Sequence, residues 1–158
     1  GNFPYNISSQ ILFKVLDNRD MVVQFVGMFQ KEVAERIVAK PNSKDYGILS
    51  VLTQAYYSPE ILFNVSESVF YPQPKVKSAV ISMQLKNELI PKTDFSFFKK
   101  VVKSAFQKRR KMLRNSLSEF SFELTSTFNE YQTKRPEQLT YEEFDMIAAE
   151  ILNVQLRK

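Results

Sequence analysis

The apolar and polar positions in the first half of the chain alternate between two periods, which predict helices and strands in turn. Apolar residues at helical spacing predict a helix that begins at Ser8 or Ser9, where either hydroxyl can cap it, and ends near Asn18. Met21 to Phe29 is an almost unbroken, valine-rich apolar run. Such a run predicts a strand that is buried on both faces, as in a parallel sheet.

The rest of this half shows two more helical patterns and two strand patterns. Helices are predicted from Gln30 to Lys40 and from Tyr46 to a stop at Pro59, with a polar loop between them. Ile61 to Val65 is a short strand candidate, and alternation from Ser78 to Lys86 predicts a strand with one face more deeply buried. The order is therefore helix, strand, helix, helix, strand, strand. The two late strands are expected to pair antiparallel at a sheet edge.

Beyond a change of composition at residues 87–93, the pattern is helical throughout. Asp94 can cap an amphipathic helix, which is expected to continue through Lys108 to Leu117 with Met112 facing inward. Ser121 to Gln132 is less regular and predicts a short helix, and a capping box at Thr140 opens a final one. We therefore divide the chain into an α/β part at residues 1–88 and an all-α part at residues 94–153.

Composition excludes several kinds of chemistry. The 158 residues include no cysteine and no histidine, which excludes disulfides, thiolate or imidazole metal sites and His-based catalysis, so no metal site is expected. Any chemistry must use carboxylates, amides, hydroxyls, lysines, backbone groups or a bound cofactor. No apolar run approaches the roughly 20 residues of a membrane span, and the start of the chain has no signal-peptide pattern, so we expect a cytoplasmic protein.

Positive charge is concentrated in one segment. Lys99 to Arg114 holds eight basic residues and no acid, whereas the other residues hold 14 basic and 17 acidic groups. A localised basic stripe is typical of a phosphate-rich partner such as RNA. A solvated helix face is the alternative, but the arginine-rich centre at Arg109, Arg110 and Arg114 favours phosphate binding.

The first five residues, GNFPY, combine an amide, a rigid proline and a flat ring. Asn2 and Tyr5 on either side of such a turn suit a planar, hydrogen-bonding substrate such as a nucleobase. An ordinary turn, in which Asn2 merely caps the backbone, is the alternative. The three glycines form no phosphate-binding loop, and the predicted sheet is small for a doubly wound domain. The chain is therefore expected to begin in the middle of an α/β domain.

Five motifs, in order along the chain, resemble those of the small-subunit rRNA adenine N6,N6-dimethyltransferases. They are GNFPYNIS at residues 1–8, QKEVAER at 30–36, PNSKDYG with LSV at 41–51, FYPQPKVKSAV at 70–80 and FQKRRKMLRNSL at 106–117. Phe3 stands where leucine is usual. The resemblance extends to about Leu152 and implies the C-terminal half of a Rossmann-like methyltransferase sheet followed by a small helical domain. The family's N-terminal cofactor half is expected to be absent.

The resemblance implies S-adenosylmethionine-dependent dimethylation of adenine N6 in small-subunit rRNA. Asn2, which would also face the cofactor, and a backbone carbonyl at Phe3-Pro4 would accept the two N6 hydrogens. Tyr5 would stack on the flipped base, and Phe70 would cover its other side. The residues expected to bind rRNA phosphates are Lys75, Lys108, Arg109, Arg110, Lys111 and Arg114. Core positions for Tyr5 and Phe70 are the alternative.

The missing half leads to further expectations. This chain alone is expected to bind S-adenosylmethionine poorly, to be inactive and to self-associate through an exposed sheet edge around Met21 to Phe29. The expected partners are small-subunit rRNA and the pre-ribosomal small subunit. Two alternatives are a non-catalytic, RNA-binding ribosome-assembly factor and a large-subunit rRNA resistance methyltransferase. The motifs at residues 70–80 and 106–117 favour the small-subunit type.

Overall fold

A computed structural model describes residues 1–88, 91–120 and 125–157. Its first half contains α1 (Ser8–Asp17), β1 (Gln24–Gln30), α2 (Lys31–Val38), α3 (Ile48–Tyr56), β2 (Tyr57–Val65) and β3 (Ser78–Leu85). Its second half contains α4 (Phe95–Gln107), α5 (Leu113–Ser116), α6 (Ser126–Tyr131) and α7 (Tyr141–Leu156). Short 3₁₀ turns lie at Tyr5–Ile7, Glu67–Val69 and Pro136–Gln138. The order of helices and strands predicted for the first half is confirmed.

Capping explains where two of the long helices begin. The Asp94 carboxylate accepts the Phe97 N–H at 3.1 Å and starts α4. At α7, Thr140 Oγ1 accepts the Glu143 N–H at 3.3 Å while the Glu143 carboxylate accepts the Thr140 N–H at 2.8 Å. Both predicted caps are confirmed. The predicted serine cap of α1 is wrong, because the cap position is Ile7 and no side chain caps it.

The three strands form a sheet of order β1-β3-β2, in which both pairings are antiparallel. The antiparallel pairing of β2 with β3 is confirmed, although β3 lies in the centre of this sheet. The parallel, doubly buried arrangement expected for Met21 to Phe29 is wrong for the described residues. There β1 is an edge strand, and one of its faces is open to solvent, since Val26 is 42% exposed. Its parallel contact is a single bridge between Asn2 and Met28.

Three predicted boundaries also differ from the structure, and the first is that α3 ends at Tyr56, before the predicted stop at Pro59. β2 begins at Tyr57 and includes Pro59, which an edge strand tolerates because one side of its backbone needs no partner. The α4 helix ends at Gln107 instead of continuing, since the chain turns at residues 108–111 and Met112 is 39% exposed. After the turn, the start of α5 is hydrogen bonded to the loop that follows α6: the Leu113 N–H donates to the Lys134 carbonyl at 2.9 Å.

The predicted helix at residues 121–132 is described only in part. Residues 121–124 lie outside the described residues, and α6 occupies the remainder of the prediction. Its cap is Thr125, whose Oγ1 accepts the Phe128 N–H at 3.4 Å.

The hydrophobic core lies between the inner face of the sheet and the helices of both halves. Tyr56 at the end of α3 contacts Phe95 and Phe98 of α4 edge-on, with ring centroids 5.5 and 6.4 Å apart. Lys86 directly follows β3, and its ammonium group donates hydrogen bonds to the Gln54 carbonyl of α3 and the Tyr141 hydroxyl of α7. This side chain therefore links three elements. The two parts therefore pack together, and their division into two domains stays a prediction. Within the described residues, no helix combines the length and apolar character required to cross a membrane.

Candidate active site

The start of the chain and the loop before β3 together line a cavity of about 270 Å³. This volume lies just below the roughly 300–1,000 Å³ of sites for drug-sized ligands and suits one small planar group. The lining residues, all uncharged, are Asn2, Phe3, Pro4, Tyr5, Met28, Phe70, Tyr71, Pro72 and Pro74. The cavity therefore contains all four residues predicted to act on the base: Asn2, Pro4, Tyr5 and Phe70.

The first wall of the cavity is an extended segment that turns into a 3₁₀ helix. The Met28 N–H donates to the Gly1 carbonyl at 3.0 Å, which holds the segment beside β1. Pro4 then begins the turn, and its carbonyl accepts the Ile7 N–H at 3.2 Å. The buried Ser8 hydroxyl donates to the Tyr5 carbonyl at 2.9 Å. These bonds fix the backbone from Gly1 to Ser8, while the Asn2 side chain stays exposed at the mouth of the cavity.

Phe3 anchors this wall on the sheet. Its ring stacks on Phe25 with centroids 5.7 Å apart and planes 13° from parallel. Gly27 makes room for this pair, because a Cβ there would lie 2.8 Å from the Phe25 ring and 3.1 Å from the Phe3 ring. The phenylalanine that replaces the usual leucine thus has an aromatic partner and a glycine that accommodates it.

The opposite wall comes from the loop between β2 and β3. The Phe70 N–H donates to the Glu67 carbonyl at 3.3 Å, and the peptide bond between Tyr71 and Pro72 is cis. Phe70 is half-buried, whereas the Tyr71 ring is fully exposed. Sequence reasoning missed Tyr71 as a lining residue, although it lies inside one of the motifs. The cavity is therefore lined by Phe70 and Tyr71 at this wall and by Phe3 and Tyr5 at the other.

One hydrogen bond joins the first wall to the strand that follows the loop of the opposite wall. The hydroxyl of Tyr5 is hydrogen bonded to Oγ of Ser78, the first residue of β3. Ser78 is fully buried, and its strand position pairs with Gln30 on one side and Val65 on the other. Sequence reasoning also missed Ser78, because an isolated serine at the start of a strand carries no signal of a tertiary contact.

The six residues predicted to bind RNA lie outside the cavity. Lys108, Arg110 and Lys111 are exposed at the turn between α4 and α5, and Arg114 is exposed within α5. Lys75 is exposed on the loop next to Pro74, a lining residue. These side chains can reach a phosphate backbone without rearrangement of the fold.

Of the six, Arg109 has the most contacts within the fold, whereas Lys108 makes one long bond, from its ammonium to the Asn115 carbonyl at 3.5 Å. Arg109 donates from Nε to the Glu137 carboxylate at 3.1 Å and from Nη2 to the Lys44 carbonyl at 2.8 Å. A third bond reaches the Ser43 carbonyl at 3.3 Å. This guanidinium therefore ties the end of α4 to two loops, and its hydrogen bonds are used within the fold.

The lysines of α4 form a second group within the basic segment. Lys99 lies 4.9 Å from the centre of the Phe13 ring, and Lys103 lies 5.5 Å from the same ring. Lys100 lies 5.6 Å from the Phe120 ring. These distances are from the ammonium nitrogens, so the charged heads themselves lie over aromatic rings. The predicted stripe is thus two groups, one at the turn and one on the helix. No group of three or more acidic side chains within residues 1–88, 91–120 and 125–157 is placed to hold a metal ion.

The sequence of the chain is similar to those of known proteins. Residues 1–155 match the family model described as "Ribosomal RNA adenine dimethylase". The chain is 54% identical over 151 residues to the "Ribosomal RNA small subunit methyltransferase A" of Flavobacterium johnsoniae, covering 96% of this chain and 58% of that protein. It is 56% identical over 145 residues to the protein of the same name from Bacteroides thetaiotaomicron, covering 91% of this chain and 54% of that protein. The chain thus spans little more than half the length of these curated relatives.

Two solved structures share the fold. A dimethyladenosine transferase from Plasmodium falciparum superposes with a TM-score of 0.82 at 23% identity, over 99% of this chain and 65% of that one. The 23S rRNA methyltransferase ErmE superposes with a TM-score of 0.64 at 21% identity, over 94% of this chain and 64% of that one. The predicted fold class, part of a Rossmann-like methyltransferase with helices after it, is confirmed by these likenesses.

Proposed function

Because the chain belongs to the ribosomal RNA adenine dimethylase family, we propose that it forms the adenine-binding part of an enzyme that dimethylates N6 of adenine in small-subunit rRNA. The observation that carries this proposal is the uncharged cavity, with Asn2 at its mouth and aromatic rings on both walls. A target adenine inside a duplex must leave the stack before its N6 can react. Rings on two sides of a narrow cavity can replace the stacking that the base loses.

The amide of Asn2 would act on N6 itself. The N6 lone pair is delocalised into the adenine ring, which makes this nitrogen a poor nucleophile. An acceptor on each N6 hydrogen favours a pyramidal nitrogen whose lone pair is available. Asn2 supplies one acceptor through its side-chain oxygen. For the other, the Phe3 carbonyl is the better candidate, because the Pro4 carbonyl already accepts the Ile7 N–H. Both acceptors belong to residues whose backbone the turn holds in place, so only the Asn2 side chain needs ordering at reaction.

The two walls would hold the base plane. Tyr5 stacks from the side of the first segment, and Phe70 covers the other face, with the exposed Tyr71 ring beside it. No lining residue is charged, which fits a neutral purine and a transfer that needs no strong base. The two acceptors would hold the N6 hydrogens by hydrogen bonds, and the proton that N6 loses after methylation would pass to water, because amide and carbonyl oxygens are too weakly basic to keep it.

S-adenosylmethionine would supply the methyl group. Asn2, exposed at the cavity mouth, is the residue of this chain that we propose to lie beside it. The lining residues include no carboxylate that could accept hydrogen bonds from ribose hydroxyls. We therefore propose that most contacts to this cofactor come from the part of the longer relatives outside the matched region, and that this chain alone binds it poorly and is inactive.

The exposed cations would bind rRNA phosphates. Lys108, Arg110, Lys111 and Arg114 surround the turn after α4, and Lys75 would guide the strand to the cavity. Such contacts hold the RNA in place without reading its sequence. Because the curated relatives are named for the small subunit, we propose the pre-ribosomal small subunit as the assembled partner and the cytoplasm as the compartment. The likeness to ErmE shows the fold alone and gives no support for a large-subunit substrate.

The test is a chimera in which this chain replaces the matching 151 residues of the Flavobacterium johnsoniae protein. We expect the chimera to methylate small-subunit rRNA. Asn2→Ala should lower kcat by about 10²- to 10³-fold, the usual effect of removing one group that stabilises a transition state, with RNA affinity unchanged. The matched control is Asn6→Ala, since Asn6 is exposed on the next turn and does not line the cavity.

Two results would contradict the proposal. A chimera that binds rRNA without transferring methyl groups, beside an active unaltered relative, would favour the non-catalytic assembly factor. Unchanged kcat in Asn2→Ala would show that the amide does not act on N6.

A further inference from the structure

We infer that Ser78 is a positioning residue whose hydroxyl holds the Tyr5 ring at the angle required to close one face of the base cavity. The inference rests on the proposed function, because it concerns how the same cavity receives adenine. Tyr5 is only half-buried, so packing alone leaves its ring free to tilt. Its hydroxyl is hydrogen bonded to Ser78 Oγ, which fixes the far end of the ring.

Ser78 is suited to this task because its own position is fixed. It is fully buried at the start of the central strand, where it is paired with Gln30 of β1 and Val65 of β2. The adjacent Lys77 carbonyl accepts the Lys31 N–H at 2.9 Å, which also secures the end of the loop. A hydroxyl on a strand that is paired on both sides moves less than a hydroxyl on a loop. The bond to Ser78 therefore restricts the motion of the Tyr5 ring.

The same bond also ties Tyr5 to the end of the loop that forms the opposite wall. Ser78 follows directly after the loop that carries Phe70, whereas Tyr5 belongs to the first wall. A hydroxyl-to-hydroxyl bond between the two therefore limits how far the walls can separate. Stacking between two rings requires the base plane and both ring planes to be nearly parallel, so a small tilt of Tyr5 weakens contact with the base. The expected consequence is a loss in kcat with little change in RNA affinity.

A double-mutant cycle in the chimera tests this role. Ser78→Ala and Tyr5→Phe each remove one partner and should each lower kcat by roughly 3- to 10-fold, the value of one hydrogen bond. The double variant should lose no more than either single variant, because the same bond is removed. Ser78→Thr keeps the hydroxyl and should recover most of the loss. The matched control is Ser82→Ala, a buried serine on the same strand, which should leave kcat unchanged.

A second measurement does not depend on activity. In this chain alone, the Tyr5 hydroxyl proton should exchange slowly enough to be seen by NMR in the parent chain and in Ser82→Ala, and should disappear in Ser78→Ala. This experiment remains informative if Ser78→Ala lowers the thermal stability, since protection of the Tyr5 hydroxyl is read first in the parent chain, where the contact is intact.

The outcomes separate the two proposals. If the parent chimera transfers no methyl group while the Tyr5 hydroxyl is protected, the proposed function fails and the contact stands. If the parent chimera is active but Ser78→Ala has full kcat, or the two single effects multiply in the double variant, the positioning role is overturned. An unprotected Tyr5 hydroxyl in the parent chain would overturn it as well.

Discussion

Single residues decide the shape of the candidate active site, and only some of them are visible in the sequence. Asn2, Pro4 and Tyr5 stand together in one short motif, so their joint placement needs no long-range contact. Phe70 reaches the same cavity from a distant loop, and the resemblance alone connected it with them. Ser78 could not be predicted in this way, because its role depends on a side-chain contact across 73 positions.

Gly27 offers the sharpest test of the packing beneath the site. Gly27→Ala places a methyl group 2.8 Å from the Phe25 ring and 3.1 Å from the Phe3 ring, so Phe25 must shift and Phe3, which stacks on Phe25, must adjust with it. We expect a loss of about 1–3 kcal/mol in the free energy of unfolding, as for other overpacked sites. Urea unfolding of this chain measures the loss, and kcat of the chimera should fall in parallel.

The matched control is Gly47→Ala. Nothing lies within 4 Å of a Cβ at that position, and its extended backbone accepts any residue. Gly47→Ala, at the start of α3, should lower the free energy of unfolding by less than about 1 kcal/mol. Equal losses at the two glycines would contradict the view that Phe3 depends on the space at Gly27.

At the scale of whole elements, local signals were sufficient for the helices and insufficient for the sheet. Asp94 and Thr140 cap through bonds within three residues, which a sequence pattern can reveal. The apolar run in β1 was misinterpreted as a parallel strand, because hydrophobicity alone does not show which strand lies beside it. The basic segment was taken as one stripe, whereas the turn after Gln107 divides it.

This division predicts two different effects of charge reversal. Replacing Arg110, Lys111 and Arg114 together by glutamate should weaken binding of this chain to small-subunit rRNA by about a hundredfold and reduce its dependence on salt, because phosphate contacts are lost. The control reverses the three lysines of α4, which changes the net charge by the same amount. Their ammonium groups lie over aromatic rings, and Lys99 also pairs with Asp17 at 3.5 Å, so a smaller loss of RNA affinity is expected and the folded fraction of this variant is checked by circular dichroism.

Fluorescence anisotropy at several salt concentrations distinguishes the two variants. Equal losses would mean that affinity follows total charge and that the turn is not a distinct RNA surface. Arg109 is left unchanged in both variants. Its replacement would remove the bonds to Glu137, Ser43 and Lys44 and lower the stability of the fold, which would obscure the effect on RNA binding.

At the scale of the whole molecule, the two edges of the sheet differ in their protection. β2 contains Pro59 and an irregularity in register between Ile61 and Phe63, both of which discourage pairing with another strand. β1, with the sequence QFVGMFQ, has neither a proline nor a charge. Gly1 and Asn2 occupy only part of its outer edge, and Val23 is 61% exposed before it.

We therefore expect this chain to self-associate at high concentration through β1. Val26→Lys places a charge on the exposed side of that strand and should shift light scattering toward the monomer, because pairing would bring like charges together. Phe63→Lys, at a 57% exposed position on β2, removes a similar apolar group from the protected edge and should have little effect. A parent chain that stays fully monomeric at high concentration, or an equal effect of the two lysines, would show that β1 is not the associating edge.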